Sequence, residues 1–417
     1  MRELSVFIGG IYAGTLVQDD HGARSFSYDA AYDGPPLSLS MPVGNRVYRT
    51  RVVDAYLLGL LPDDEHVRRE AGKRFGVSGN NPFALVSCMG LDCPGAVQFC
   101  PKGNEECINR PEELVALTEE QIAHRLLPRT GRQEDTWFRE AERWSLGGNQ
   151  SKFALRFDSG MWYECHGAAA TTHIFKPGIE GMRLEALDEY LTMRIALACG
   201  IPSEHVEYHA FCGVPAIVAT RYDRRVTPAG ITRIHQEDMC QALSITPNKK
   251  YAEDGGPSTP DVLRILRMTS NPHLSAQGFA AMLFFNYLMG APDAHAKNYS
   301  LLHTDARDCV LAPLYDVASG LPYDLTKGRP LRLAMSIGGE NRLGFVGREQ
   351  IERFAVSAGI APASCFNLMA NLCTRIMAQS SQVVEEAVAL GIEGAEELAE
   401  RLLPRLEAHC QRTLQQL

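Results

Sequence analysis

Asp293 and Asn298 stand five positions apart in Ala291-Pro292-Asp293-Ala294-His295-Ala296-Lys297-Asn298-Tyr299-Ser300, between an apolar stretch and a short β-prone run. A carboxylate there can take the proton of an attacking hydroxyl, and an amide oxygen a little further on can ligate a hard cation such as Mg²⁺. Leu314-Tyr315-Asp316-Val317-Ala318-Ser319 follows a second β-prone run and supplies another carboxylate. If the two runs form a hairpin, Asp293 and Asp316 address one phosphate. The chemistry invited is phosphoryl transfer, where a protein contributes position and charge neutralisation. Read singly, the first segment is also an ordinary polar turn, and an aspartate after a strand is commonly a turn former.

Such a reaction further needs donors around the phosphates and a cation on them. Ser145-Leu146-Gly147-Gly148-Asn149-Gln150-Ser151-Lys152 precedes a β-prone run, and its two glycines let successive N–H groups approach a polyanion. By itself it reads first as a tight turn. Lys176 closes the apolar run His173-Ile174-Phe175, from which an ammonium group can reach α- and β-phosphates. Without the other motifs it is a strand-end lysine in solvent. As a phosphate lysine it needs an acidic partner, and Glu189 on the next helix is the candidate. In this company Asp293 and Asn298 have the D-x-x-x-x-N spacing of a kinase catalytic loop, and Asp316 stands where kinases hold their metal aspartate.

The elements that must position these groups are legible in outline. The first hundred residues read as β-rich, with Gly9-Gly10 as a hairpin turn between apolar runs. Strands are expected over residues 152–157, 161–165, 172–176 and 216–222. A helix with Leu184, Leu187, Tyr190, Leu191, Ile195 and Ala198 on one stripe interrupts them, stopped by Gly200-Ile201-Pro202. Beyond Asp238 the pattern is helical, broken by short strands near Tyr299–Leu302 and Val310–Leu314. This predicts an α+β, two-lobed kinase-like fold in three parts: a β-rich N-terminal subdomain (1–104), an N-lobe with phosphate loop and hinge (105–224), and a helical C-lobe with catalytic and metal loops (225–417).

Composition narrows the class. The 417 residues are 45% hydrophobic and 22% charged, the balance of a globular protein. A net charge of −9 argues against broad non-specific nucleic-acid binding. No signal-peptide pattern opens the chain and no apolar run spans a bilayer, so a cytoplasmic protein without membrane contact is expected. The twelve cysteines are expected as buried or free thiols. Cys88, Cys93, Cys100 and Cys107 cluster without the spacing of a zinc knuckle.

Together the motifs resemble the HipA family of serine/threonine-protein kinase toxins. The likeness runs through Ser145–Lys152, His173–Pro177, the R-Y-D-R segment at Arg221–Arg224, and Arg233-Ile234-His235-Gln236-Glu237-Asp238-Met239-Cys240-Gln241-Ala242-Leu243, then Asp293–Ser300 and Tyr315-Asp316. It implies ATP contacts from Gly147, Gly148, Asn149, Gln150, Ser151, Lys152, Lys176, a hinge of Thr220, Arg221 and Tyr222, His295, Ala296, Lys297, Asn298, Tyr315 and Asp316. It further implies Asp293 as base, Mg²⁺ on Asn298 and Asp316, and autophosphorylation of Ser145. Thr220 stands where the family commonly has an acidic residue, and Ala294 where glycine is common.

The resemblance implies a growth-arresting toxin paired with a HipB-like helix-turn-helix antitoxin, reaching operator DNA through that partner. Its substrate would be a protein such as an aminoacyl-tRNA synthetase. A small-molecule kinase of the same fold and an inactive kinase-like corepressor are the rival readings. The presence of Lys176, Asp293, Asn298 and Asp316 counts against the second.

Overall fold

A computed structural model describes residues 1–127, 142–148, 150–326 and 328–417. The chain divides into two units, one of Met1–Pro177, Ala210–Lys250 and Ser300–Val310, the other of Gly178–His209, Tyr251–Tyr299 and Leu311–Leu417. Asn149 lies outside the described residues.

The first unit opens with an antiparallel sheet in the order Val47–Arg49, Arg24–Tyr28, Ile11–Gln18, Arg2–Ile8, Val97–Pro101. Gly9 and Gly10 form its first turn with φ of 60° and 80°, the left-handed pair that a two-residue hairpin requires. Three helices absent from the sequence reading, Thr50–Gly59, Glu65–Phe75 and Pro82–Met89, accompany this sheet. Asp64 and Asn81 cap the second and third through the N–H groups of His66 and Ala84, and left-handed Gly76 ends the second. Tyr56, Leu57, Phe83 and Leu85 join Leu4, Val6 and Phe26 in one core.

A second sheet runs Glu113–Leu117, Met161–His166, Phe153–Asp158, His173–Lys176, Val214–Thr220, Val206–Phe211. A third joins His235–Asp238, Ser300–His303 and Cys309–Leu311, so the hairpin expected around the catalytic loop is present. Glu237 explains the polar block before it. Its buried carboxylate accepts from Ser38 Oγ (2.5 Å), the Leu39 N–H (2.8 Å) and His303 Nε2 (2.9 Å). Asp238 and Gln241 form a capping box, and Gln241 Nε2 donates to the Tyr56 carbonyl at 3.0 Å. The block thus fastens the N-terminal segment to the sheet.

The second unit is helical: Glu185–Ala198, Thr259–Leu266, Pro272–Leu288, Arg348–Ala358, Pro362–Ala389 and Ala395–Gln416. Pro272–Leu288 is its buried spine, with Phe279, Phe284, Phe285 and Tyr287 all fully inside. Arg332–Ile337 and Glu340–Arg342 add a hairpin that the sequence reading left as helical territory. Among the described residues no helix is long and apolar enough to cross a membrane. Of the clustered cysteines, Cys100 and Cys107 lie with their sulfurs side by side, while Cys88 and Cys93 are free thiols.

Candidate active site

In the first unit, three neighbouring strands gather the phosphate-loop and hinge residues. Lys152 leads into Phe153–Asp158, where Phe153 pairs with Phe175 and the two rings stack at 5.1 Å. Lys176 follows Phe175 and faces Ile217, while Thr220 pairs with His173. Lys176 is only 3% exposed, so it is not the solvated strand-end lysine of the simpler reading. Gln150 Nε2 donates to the Pro177 carbonyl at 3.2 Å and ties the loop to the end of the lysine strand. Gly148 has φ +100°, a backbone conformation that side chains rarely adopt, and a Cβ there would meet only the flexible tip of Lys152, at 2.7 Å. Gly147 is half-buried and Ser151 exposed.

Ser145 is wholly buried. Its N–H donates to the Asp92 carbonyl at 3.0 Å and its hydroxyl to Cys93 Sγ at 3.3 Å. The loop serine is therefore seated in the core of this unit.

Arg221 does not offer its side chain to a nucleotide. Its guanidinium donates to Asp223 (2.8 and 3.0 Å), Thr171 Oγ1 (2.9 Å) and the Cys93 carbonyl (2.9 Å), and its N–H to the Thr172 carbonyl (2.9 Å). Arg224 and Arg233 reach Asp92 Oδ1 at 2.9 and 3.0 Å. Burial alone would raise the Asp92 pKa. Arg224, Arg233 and Arg221 outweigh it and hold the carboxyl far below the usual range. The Arg221 side chain is thus committed to the core of this unit. Sequence reasoning missed Asp92 because its arginine partners lie over 100 residues away.

In the second unit, Pro272–Leu288 ends near left-handed Gly290 (φ 58°) and delivers the chain to Asp293. The loop then folds on itself through the His295 N–H to Asp293 O bond (2.7 Å) and the Asn298 N–H to His295 O bond (2.9 Å). Ala294 has no positive φ, so the missing glycine imposes no strain. His295, Ala296, Lys297 and Asn298 are buried, whereas the Asp293 side chain is 71% exposed. Tyr251, another residue the sequence reading missed, donates its hydroxyl to Asp293 Oδ1, and the His295 ring lies against Tyr251 at 5.1 Å.

Two bonds clamp the Asp293–Asn298 loop to the Tyr315–Asp316 loop. Asn298 Nδ2 donates to the Asp316 carbonyl at 2.9 Å, and the Tyr315 hydroxyl to the Lys297 carbonyl at 2.5 Å. Because the amide nitrogen is engaged, Asn298 Oδ1 is the atom that can ligate a cation. Asp316 holds φ 60°, a left-handed conformation that aspartate tolerates better than most residues. The Leu314 N–H donates to the Pro202 carbonyl (2.8 Å) and the Glu204 N–H to the Leu314 carbonyl (2.8 Å), fixing the strand end before it. Amide and carboxylate oxygens on clamped loops fit a hard, oxygen-seeking ion such as Mg²⁺. Glu189 is buried in the same unit, on Glu185–Ala198.

Comparison with known proteins places this geometry. The HipA N-terminal domain model matches residues 4–100 and the HipA-like C-terminal domain model residues 144–385. A Sinorhizobium fredii protein carrying the kinase name Y4mE is 33% identical over 404 residues, 95% of each chain. The serine/threonine-protein kinase toxin HipA of Shewanella oneidensis is 28% identical over 93% of this chain and 89% of its own. The S. oneidensis HipA solved with HipB and its operator DNA superposes with a TM-score of 0.85 at 25% identity, covering 99% and 97% of the chains. The fold is α+β and kinase-like, and the chain belongs to the HipA family.

Proposed function

We propose that this chain is an ATP-dependent serine/threonine protein kinase whose catalytic and metal loops are those at Asp293–Asn298 and Tyr315–Asp316. The observation that carries the reading is the Asn298 Nδ2–Asp316 carbonyl bond, which joins the loops and leaves one amide oxygen for a cation. Asp293, exposed and oriented by the Tyr251 hydroxyl, takes the proton of the acceptor serine or threonine. The N–H groups from Gly147 to Lys152 and the Lys176 ammonium bind the phosphates, and Thr220 and Tyr222 bind adenine through their backbone. Held by Asn298 and Asp316, Mg²⁺ supplies neutralisation of phosphate charge.

Autophosphorylation falls on Ser145. Its burial means that the loop must leave its seat to be modified. A phosphate carrying nearly two negative charges could not return beside Asp92 and the Cys93 thiol, so the modified loop stays out and ATP affinity falls. The solved relative in complex with HipB and operator DNA supports a HipB-like antitoxin as partner. A growth-arresting role, with a translation component such as an aminoacyl-tRNA synthetase as substrate, is the reading that the family resemblance favours.

Calorimetry of ATP binding tests the metal assignment. Affinity should fall at least about tenfold when EDTA replaces Mg²⁺, and Asp316→Asn should lose most of that metal dependence. Equal affinity with and without the metal removes the assignment.

A further inference from the structure

The segment beginning three residues after Asp316 forms one wall of a cavity of about 340 Å³ in the helical unit. Ser319 starts that segment by donating its hydroxyl to the Met289 carbonyl, and Leu321 and Arg329 line the cavity. The C-terminal helix Ala395–Gln416 forms the facing wall. Its residues Arg405, Ala408, His409 and Arg412 recur at three-, four- and seven-residue spacings, which puts them along one face.

Three arginines therefore converge on one concavity. Among the described residues, none of Arg329, Arg405 and Arg412 is paired with a carboxylate. One turn away Arg401 does pair, with Glu397 at 3.4 Å. Arg405 Nη1 donates to the Leu321 carbonyl at 2.6 Å, which fastens it to the wall and leaves most of its N–H fork uncommitted. Gly344 leaves room for Arg412: with φ +82°, its Cβ would lie 3.1 Å from Arg412 Nη1. The rest of the lining is partly apolar, with Leu321, Leu331 and Leu343. Buried His409 donates Nε2 to the Tyr287 carbonyl at 3.2 Å. Burial, with Arg412 as a lesser cause, brings its pKa down to about 4, so it adds no charge at neutral pH.

A solvated basic face would spread its charges over a convex surface and balance them with neighbouring acids. Here the chain is acidic overall, with net charge −9, yet these three arginines, each exposed, line one pocket that has no acid among its described lining residues. The volume falls at the small end of ordinary small-molecule sites, about 300–1,000 Å³. We propose that the cavity binds a small organic phosphomonoester, with the phosphate dianion on the guanidiniums of Arg329, Arg405 and Arg412 and the organic portion on the leucine-lined wall. A free phosphorylated metabolite and a phosphoserine in a protein segment present the same chemistry. Occupancy would hold the segment after the metal loop, so the ligand could tune the loop that carries Asp316. The assignment does not depend on the kinase reading.

Titration calorimetry on the full chain, with and without saturating Mg-ATP, tests it. The probes are inorganic phosphate, O-phospho-L-serine and a phosphoserine peptide. Saturable binding that ATP does not displace is expected, tighter for the organic phosphates than for inorganic phosphate. The Arg405→Gln/Arg412→Gln variant should bind at least about tenfold more weakly while melting as the wild type does. Arg412→Lys, which keeps the charge without the fork, should fall between the two and serves if the double variant does not fold. Preference for the peptide or for the free amino acid identifies the source. No saturable binding, displacement by ATP, or unchanged affinity in the arginine variants overturns the proposal.

Discussion

Asp92 and Asp188 are both fully buried, and the protein treats them in opposite ways. Asp92, in the first unit, meets Arg221, Arg224 and Arg233 and accepts from the Thr171 hydroxyl at 2.7 Å. Its charge is compensated several times over, so it stays ionised in the fold. Asp188, on Glu185–Ala198 in the second unit, has no cationic partner among the described residues. Desolvation, with Glu185 adding repulsion, drives its pKa well above the usual carboxylate range, and the Ser319 backbone N–H and distant Arg401 offset only part. Its surroundings favour the neutral acid. Burial fixes no charge state; the partners that come with it do. Neither aspartate is placed to do chemistry, and the exposed Asp293 is the contrast that gives both their meaning.

The largest effect should come from breaking the charged cluster. Asp92→Ala leaves two buried guanidiniums, Arg221 and Arg224, with Asp223 as their remaining acid and takes the carboxylate from partly buried Arg233, and should cost about 3–5 kcal/mol in denaturant unfolding. A loss below about 1 kcal/mol would mean that the cluster is no keystone. Its pH signature has a definite sign. The folded pKa lies below the unfolded one, so the contribution is present above the unfolded value and lost as pH falls through the folded value.

Asp188→Asn should have a smaller effect. Its folded pKa lies above the unfolded value, so its contribution is complete below the unfolded pKa and lost as pH rises through the folded one. The amide removes that loss. Melting temperature should therefore rise relative to wild type at pH 8 and match it near pH 4. A variant less stable at pH 8 would show that the carboxyl is ionised and paired in solution.

The loops proposed for catalysis were legible as neighbours because their information is local. Asp293, Asn298 and Asp316 carry their spacing in the chain, and a hairpin brings the segments together. Gly9-Gly10, the strands around Phe153 and His173, and the helix Glu185–Ala198 were legible for the same reason. The helices of the first hundred residues were not, although Asp64 and Gly76 stand as start and stop signals. Surrounding prolines, and strands on either side, masked a periodicity that tertiary packing of Val53, Tyr56 and Leu57 completes. The true work of Arg221 was hidden for a different reason. A hinge motif names the residue, but Asp92, Thr171 and Cys93, which absorb its side chain, come from two remote segments. Tyr251 beside Asp293 is likewise a contact across 42 residues with no pattern to announce it.

The central claim, that Asp293 is the base of a phosphotransfer site, is tested by one paired measurement on Asp293→Gln. Labelled-ATP transfer and ATP affinity are read on the same purified protein. The side chain is exposed, and glutamine keeps its shape and an oxygen for the Tyr251 hydroxyl, so affinity and melting temperature should stay near wild type. Transfer should fall by about 10²–10⁴-fold, the usual weight of a positioned base. Transfer at the wild-type rate, with ATP bound normally, would contradict the assignment.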